Sequence, residues 1–315
     1  MRTKILGKNG PELSIIGFGA WAIGGPWEYG WGAVDDESSK RAIRRGLDLG
    51  INWIDTAAVY GLGHSEEVVA EAIKGKRQEV FIATKCGLIW DDRKRVTRSI
   101  KPDSIRKEIE ASLRRLKTDY VDLYQIHWYD EVTPVEDAWG MMAKLQEEGK
   151  ARYIGVSNFD VELLKKCHSI APVQSLQPPY NLLKREVERE ILPYCLQNEI
   201  GVVAYSPMMS GLLSGKFDYT RVAPDDWRKR DKMFQEPMLS KAMALVERLR
   251  PIAMGHGKTV GQLAIAWVNT NPAITSAIVG ARTPEQVEEN VGAADLVLNQ
   301  SEMIEIDNIL KETVG

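Results

Sequence analysis

The chain has 315 residues, of which 44% are hydrophobic and 27% charged, a balance typical of a soluble globular protein with an ample core. Its formal net charge of −3 gives no general attraction to nucleic acid or membranes, and no stretch approaches membrane-spanning length. The three cysteines (Cys86, Cys167 and Cys195) show neither a disulfide framework nor zinc-site spacing. We therefore expect a cytoplasmic protein with no metal, no nucleic-acid partner and no membrane partner, present as a monomer or a weak oligomer.

The N-terminal residues predict a β-hairpin followed by a strand. Residues 4–6 and 13–16 flank the turn signal Asn9-Gly10. A strand at about 15–19 then ends in glycines, and Gly17, Gly19 and Ala22 fit a permissive dinucleotide fingerprint. The Gly-Gly-Pro sequence at 24–26 prevents a helix from starting where a pyrophosphate would need it, so a Rossmann domain is disfavoured.

Strands and helices alternate through the rest of the chain. Strands are predicted at about 15–19, 52–56, 80–85, 121–127, 152–157, 174–177, 201–206 and 274–279. Amphipathic helices are predicted at about 36–49, 65–75, 102–116, 135–149, 160–169 and 185–198. Eight such units predict an α/β protein in which a parallel sheet closes into a (β/α)8 TIM barrel.

Three additions to this barrel are expected. The N-terminal hairpin is suited to covering the bottom of the barrel, a long loop at about 208–236 follows the seventh strand, and an apolar stripe predicts a C-terminal helix at about 301–312. Long linkers rich in Pro or Gly are absent from the sequence, which indicates a single domain spanning residues 1–315.

Four ionisable side chains are expected at one rim of this barrel. Asp55 ends the second strand, Tyr60 lies in the glycine-spaced loop that follows, and period-two alternation places Lys85 and His127 at the carboxyl ends of the third and fourth strands. Barrel enzymes carry their catalytic groups at this end. Each residue alone could be structural, but their coincidence on successive strands favours a catalytic site.

This set of groups suits proton donation to a carbonyl oxygen. The phenol of Tyr60 has an ordinary pKa of about 10, which a nearby ammonium (Lys85) lowers, whereas Asp55 keeps the ammonium charged. A shift of about three units in the pKa of Tyr60 would correspond to about 4 kcal/mol. His127 could hydrogen-bond the reacting oxygen. Because neither a nucleophile nor a metal cluster accompanies these groups, we expect hydride from a cofactor to be the second reagent.

The sequence closely resembles the aldo-keto reductase family over about residues 17–294. The matching stretches are Asp55-Thr-Ala-x-x-Tyr60-Gly with Gly63 and Ser65-Glu66, Ala83-Thr-Lys85, Asp122-Leu-Tyr-Gln-Ile-His127, Gly155-Val-Ser-Asn-Phe159, Gln177-x-Pro-Tyr-Asn181 and Tyr205-Ser-Pro207. The resemblance implies NAD(P)H-dependent reduction of aldehydes or ketones to alcohols, with Tyr60 as general acid, Asp55 and Lys85 tuning it, and His127 orienting the carbonyl. Within the family, the sequence resembles the bacterial and plant branch related to potassium-channel β-subunits.

The resemblance also implies a set of cofactor-binding residues. They are Gly19, Ala20, Trp21, Asp55, Ser157, Asn158, Gln177, Tyr205, Ser206, Pro207, Leu212, Ser214, Lys216, Gly280, Arg282, Gln286 and Asn290. The best-known members have a lysine in place of Gly280 and an arginine in place of Gln286. Arg282 is therefore the residue expected to bind an adenosine 2′-phosphate. The implied cofactor is NADPH, with NADH possible.

Aromatic residues predict the substrate pocket. Trp21, Trp90 and Trp128 each follow the carboxyl end of a strand, and Trp27 lies in the loop after the first strand. An apolar pocket of this kind favours aromatic and medium-chain aldehydes. Two other functions remain open: a Schiff-base aldolase that uses Lys85, and a regulatory subunit that binds NADPH as a sensor. The physiological substrate and the favoured direction do not follow from the sequence.

Overall fold

A computed structural model describes residues 1–223 and 226–315. Its strands are β1 (Thr3–Ile5), β2 (Glu12–Ser14), β3 (Ile16–Gly19), β4 (Trp53–Asp55), β5 (Phe81–Cys86), β6 (Leu88–Trp90), β7 (Val96–Arg98), β8 (Val121–Ile126), β9 (Ala151–Ser157), β10 (Ser175–Gln177), β11 (Gly201–Tyr205) and β12 (Ile274–Gly280). Eight of them close into a barrel in the order β10-β11-β12-β3-β4-β5-β8-β9, with every neighbouring pair parallel. The predicted (β/α)8 barrel is confirmed.

Helices surround this barrel. They are α1 (Asp36–Asp48), α2 (His64–Ala72), α3 (Pro102–Leu116), α4 (Val135–Glu147), α5 (Val161–His168), α6 (Ile191–Gln197), α7 (Met238–Gly255), α8 (Val260–Thr270), α9 (Pro284–Val291) and α10 (Gln300–Thr313). Short 3-10 turns occur at Ala20–Ile23, Arg77–Glu79 and Glu186–Glu188, and four more lie between β11 and α7. The structure describes no helix long and apolar enough to cross a membrane, within residues 1–223 and 226–315.

Helix boundaries follow local sequence signals. Helix α3 begins with a proline in its first turn, where no amide donor is lost. Its apolar residues at helical spacing, Ile105, Ile109, Leu113 and Leu116, are all buried. Helices α8 and α10 begin with capping boxes, at Thr259 and Asn299. Helix α10 confirms the predicted C-terminal helix.

The N-terminal hairpin closes the bottom of the barrel. Strands β1 and β2 pair antiparallel, and Leu6 and Leu13 enter a core cluster inside the barrel that includes Trp53. The indole of Trp53 explains Gly17, because a Cβ at that glycine would lie 2.2 Å from the ring. Gly17 therefore makes room for packing, which accounts for part of the apparent dinucleotide fingerprint.

The loop after the seventh barrel strand confirms the predicted insertion. It contains the 3-10 turns Leu212–Ser214, Tyr219–Arg221, Trp227–Arg230 and Lys232–Phe234. Two residues of the predicted insertion, Pro224 and Asp225, lie outside the described residues. A second hairpin, β6–β7, which the sequence did not predict, follows β5 on the same side of the barrel.

Candidate active site

The carboxyl ends of β4 and β5 bring an acid and a lysine into one buried ion pair. Lys85 Nζ lies 2.9 Å from Asp55 Oδ1 and 2.7 Å from Asp55 Oδ2. Only 1% of Lys85 and 3% of Asp55 is exposed. The ammonium also donates to the backbone carbonyl oxygen of Thr56, at 2.9 Å. Removing either partner would leave the other charge buried without compensation.

Tyr60 and His127 face the same position. The hydroxyl oxygen of Tyr60 lies 3.2 Å from Lys85 Nζ. The imidazole of His127 packs edge-on against the Tyr60 ring, with the ring centroids 5.8 Å apart and the planes at 76°. Tyr60, His127 and Asp55 line a single cavity, and Lys85 lies behind them. The structure thus brings together the four residues that the sequence was expected to place on one rim.

Hydrogen bonds at the start of α2 hold the loop that carries Tyr60. The Ser65 amide donates to the carbonyl oxygen of Tyr60 at 3.1 Å, and the Ser65 hydroxyl donates to that of Ala20 at 2.9 Å. The neighbouring residue, Glu66, is fully buried and accepts a 2.6 Å hydrogen bond from the Thr84 hydroxyl, next to Lys85. These bonds connect the turn after β3, strand β5 and helix α2 around the phenol.

The electrostatics of the site correct one expectation. Burial raises the pKa of the Tyr60 phenol well above its ordinary value of 10, and the charges of Asp55 and Tyr205 add to this increase. Burial also lowers the pKa of Lys85, an effect that Asp55 opposes. Because Asp55 balances the ammonium, the ion pair presents little net positive charge to the phenol. The net effect on the phenol of Tyr60 is therefore an increase in its pKa, and not the decrease expected from the ammonium of Lys85 alone.

These shifts set the protonation states at neutral pH. The phenol of Tyr60 is protonated, as a proton donor must be. Burial, followed by the charge of Lys85, lowers the pKa of His127 well below 6.5, so the imidazole is neutral. A neutral imidazole still carries one N–H and can donate a hydrogen bond to a carbonyl oxygen.

A polar network connects this site to β9, β10 and β11. Gln177 Nε2 donates to Asp55 Oδ1 at 2.8 Å. The side-chain amide of Asn158 donates to the backbone carbonyl oxygen of His127 at 3.1 Å, and Tyr205 donates its hydroxyl hydrogen to Asn158 Oδ1 at 2.9 Å. Residues predicted to hold a cofactor are thus hydrogen-bonded directly to residues predicted to be catalytic.

Strained backbone marks the ends of β9 and β11. Asn158 and Ser206 have φ angles of 60° and 56°, and Met209 and Ser210 continue in the left-handed region at 46° and 51°. Residues other than glycine rarely adopt this conformation, and such strain clusters at functional sites. The two strained segments follow strands on either side of β10 and lie on the cavity wall.

A single cavity of about 830 Å³ contains most of the predicted side chains. Among the predicted cofactor residues, those on its wall are Gly19, Trp21, Asp55, Ser157, Asn158, Gln177, Tyr205, Ser206, Pro207, Ser214, Lys216, Gly280, Arg282, Gln286 and Asn290. Among the predicted substrate-pocket residues, Trp21, Trp27 and Trp128 are present.

The end of the cavity that lies beyond the carboxyl end of β12 is polar and positively charged. Arg282 lies near Trp31, with Cζ 5.9 Å from the ring centroid and Nη1 donating to the Trp31 carbonyl oxygen at 3.4 Å. Gln286 accepts a hydrogen bond from the Arg282 amide at 2.8 Å. Lys216 forms an ion pair with Glu289 at 2.8 Å. The Arg282 guanidinium has no carboxylate within ion-pair distance among the described residues, so its charge is available to a phosphate.

The positions of three predicted residues need correction. Trp90 does not line the cavity: it lies at the outer end of the β6–β7 hairpin, where the Arg115 guanidinium of α3 is 5.9 Å from its ring centroid. Ala20 and Leu212 are 0% exposed and are absent from the cavity wall, because both start 3-10 turns that pack into the core. Neither of these two side chains is available to a cofactor.

Sequence reasoning missed several residues on the cavity wall. Trp31 and Trp227 come from loops far apart in the chain and pack against Trp21, with centroid distances of 5.8 Å and 5.7 Å. The first turn of α8 also reaches the cavity, through Thr259 and Gln262. Its Thr-x-x-Gln pattern is a capping-box signature that could have revealed this helix start. No sequence signal indicated that the two tryptophans pack against Trp21.

Comparison with known proteins agrees with this geometry. The Aldo/keto reductase family matches residues 15–311. Aldo-keto reductase YhdN of Bacillus subtilis is 42% identical, over 98% of this chain and 93% of the relative. The NADH-specific methylglyoxal reductase of Escherichia coli is 34% identical, over 94% of each chain.

Two solved structures have the same fold. Glycerol dehydrogenase AKR11B4 from Gluconobacter oxydans has a TM-score of 0.90 at 40% identity, covering 99% of this chain and 95% of that one. An aldo/keto reductase from Klebsiella pneumoniae in complex with NADP and acetate has a TM-score of 0.76 at 30% identity, covering 98% and 96%. With its sequence matched from residue 15 to residue 311, the chain belongs to the aldo/keto reductase family.

Proposed function

We propose that the protein is an NAD(P)H-dependent oxidoreductase that reduces aldehydes and ketones to alcohols. The observation that carries the proposal is the continuity of the cavity. It joins Tyr60 and His127 at one end to Arg282 at the other, through the amide side chains of Asn158 and Gln177. A small carbonyl compound and an extended dinucleotide could therefore meet in it.

Each residue of the site has a separate role in carbonyl reduction. A bound nicotinamide would supply hydride to the carbonyl carbon. Tyr60 donates its hydroxyl proton to the carbonyl oxygen, and His127, being neutral, donates a hydrogen bond to the same oxygen and orients it. Lys85 stabilises the phenolate left after proton transfer, and Asp55 holds the ammonium in position.

The cofactor-binding residues suit a nicotinamide dinucleotide. Ser157, Asn158 and Gln177 offer donors and acceptors for a carboxamide, and the Tyr205 ring offers a flat face for stacking. We infer that NADPH is the preferred cofactor, because the Arg282 guanidinium suits a 2′-phosphate. NADH remains the alternative, since one relative is named as NADH-specific and Gln286 offers no charge.

The aldolase alternative is disfavoured by the surroundings of Lys85. Its ammonium has four oxygen atoms within 3.2 Å, from Asp55, Thr56 and Tyr60, and the residue is 1% exposed. A Schiff base would need a neutral amine that a substrate carbonyl can reach. The sensor alternative uses the same cofactor cavity as the reductase. It differs because it predicts cofactor binding without turnover of a carbonyl substrate.

One experiment tests the proposal and separates these functions. NADPH and NADH are titrated into the protein, and quenching of tryptophan fluorescence reports binding, because Trp21 and Trp227 line the cavity. Reduced cofactor is then mixed with a panel of aldehydes, ketones and sugars, and loss of its absorbance is followed. We expect binding and turnover. Binding without turnover would favour the sensor, and no binding of either cofactor would contradict the proposal.

A further inference from the structure

The cavity wall around Tyr60 is largely apolar. Trp27 lies 6.4 Å from Tyr60 between ring centroids, and Leu88, Val96 and Trp128 complete the apolar wall. Arg98, at the end of β7, enters the same cavity from the β6–β7 hairpin, and Glu28 enters from the loop after β3. Lys184 and Asp231 also line the cavity.

Arg98 is held against the two residues that follow His127 in the chain. Its Cζ lies 4.9 Å from the ring centroid of Trp128, the residue that follows His127. Its Nη1 is 3.5 Å from the backbone carbonyl oxygen of Tyr129, at the limit of a hydrogen bond. Stacking on an indole orients a guanidinium without neutralising it. The guanidinium is therefore held at the wall of the cavity that Tyr60 and His127 also line.

The charge of Arg98 is poorly compensated. Its nearest carboxylate is Glu131, at 3.7 Å, and the Arg98 and Glu131 side chains are 46% and 79% exposed. An exposed pair at this distance contributes little and leaves most donors of the guanidinium available. Glu28, on the opposite loop, forms no ion pair with Arg98 within 4.0 Å. A substrate anion could thus displace Glu131 from Arg98 at small cost.

We propose that Arg98 is a specificity-determining residue that binds an oxoanion, a carboxylate or a phosphate, on a short-chain aldehyde or ketone whose carbonyl lies between Tyr60 and His127. This inference rests on the proposed reductase function and names a substrate class for the same cavity. A guanidinium pairs with two oxygens of either anion through parallel hydrogen bonds. The negative charge of Glu28 repels the same anion and reduces the preference for charged over neutral substrates.

Two matched substrate pairs test the inference and distinguish its two anions. The first pair is 4-oxobutanoate and butanal, and the second is glyceraldehyde 3-phosphate and glyceraldehyde. In each pair, the ratio of kcat/KM for the charged over the neutral substrate is measured for the wild type and for Arg98→Met, Glu28→Gln and Arg95→Met. Arg95 lies on the same hairpin, forms an ion pair with Asp91 and does not line the cavity.

We expect the wild type to prefer the charged member of at least one pair. Arg98→Met should lower that ratio about tenfold, the effect of losing one charge-assisted interaction at a partly exposed site. Arg95→Met should leave the ratio unchanged, Glu28→Gln should raise it, and added salt should shrink it. The pair that responds identifies whether carboxylate or phosphate is the anion.

Two results would overturn the inference alone: turnover of butanal or glyceraldehyde with no preference for the charged partner, or a preference that survives Arg98→Met. Failure to oxidise NADPH or NADH with any of the four substrates would instead overturn the proposed reductase function, and this inference with it.

Discussion

The rim of the barrel and the loops above it hold their side chains in different ways. At the rim, Lys85 is 1% exposed and has polar contacts with the side chain of Asp55, the backbone of Thr56 and the hydroxyl of Tyr60. In the loops, Trp31 and Trp227 contact Trp21 only through their rings, and Tyr29 is 45% exposed. The first arrangement is fixed by buried strand ends and the second by contacts between side chains.

This difference assigns different tasks to the two regions. Buried, fully paired polar groups are rigid, as a proton donor and its partners must be. Aromatic and arginine side chains on loops can be replaced without disturbing the barrel, and loops commonly carry the determinants of binding. Substitutions at the rim should therefore change the rate of the chemical step, whereas substitutions in the loops should change affinity and selectivity.

The largest expected effect comes from removing the buried cation. Lys85→Met takes away the group that we propose to stabilise the Tyr60 phenolate, and it leaves Asp55 charged without an ion-pair partner. We expect the rate of hydride transfer to fall by about 10²–10⁴ and the free energy of unfolding to fall by about 3–5 kcal/mol. Stopped-flow kinetics and urea denaturation measure these two losses separately.

A double variant separates catalysis from stability. In Lys85→Met with Asp55→Asn, neither member of this pair leaves an unpaired buried charge, so most of the lost stability should return while activity stays low. If activity returned together with stability, the Asp55–Lys85 ion pair would have only a structural role. The assignment of catalysis to the rim and of binding to the loops would then be unsupported.

A smaller effect is expected in the loop region at the other end of the cavity. Arg282→Ala should weaken NADPH binding by about tenfold or more, as expected for one charge-assisted contact to phosphate, and leave NADH binding nearly unchanged. Calorimetric titration of both cofactors gives the ratio of affinities, with Arg189→Ala, an exposed arginine outside the cavity, as control. An unchanged ratio would remove Arg282 from the 2′-phosphate site.

The smallest effect concerns stability and pH. Burial and Lys85 hold the pKa of His127 well below its unfolded value of 6.5, so the folded chain binds fewer protons than the unfolded chain below that pH. His127 should therefore reduce stability as pH falls through 6.5, by up to about 1.4 kcal/mol per pH unit. Urea denaturation at pH 7.5 and 5.5 should show a smaller loss in His127→Gln. The exposed control His168→Gln should behave as wild type, and equal losses in all three proteins would contradict the assignment.

The sequence predicted the rim better than the loops for a physical reason. Alternation along a strand fixes which side chains enter a barrel, and this was enough to bring Asp55, Lys85 and His127 together. Beyond a strand end that rule no longer holds. Trp90 lies beside Arg115, outside the cavity. The packing of Trp31 and Trp227 against Trp21 depends on two loops that no local pattern connects.

The protonation state of the site could not be predicted from the sequence either. The proximity of Lys85 to Tyr60 was expected and is observed at 3.2 Å. The pKa of the phenol depends as well on its burial and on the charge of Asp55, and these raise it. Residue types predict which groups meet, whereas the degree of burial decides which influence on the pKa is larger.

Single-turnover hydride transfer in wild type and Tyr60→Phe tests the central claim most directly. The substitution removes one oxygen atom and keeps the ring that packs against His127 and Trp27. We expect cofactor affinity to stay within about twofold and the rate of hydride transfer to fall by about 10²–10⁴, the usual contribution of a general acid. A Tyr60→Phe enzyme that transferred hydride at the wild-type rate would show that the proton comes from another group, and would contradict the mechanism proposed for this site.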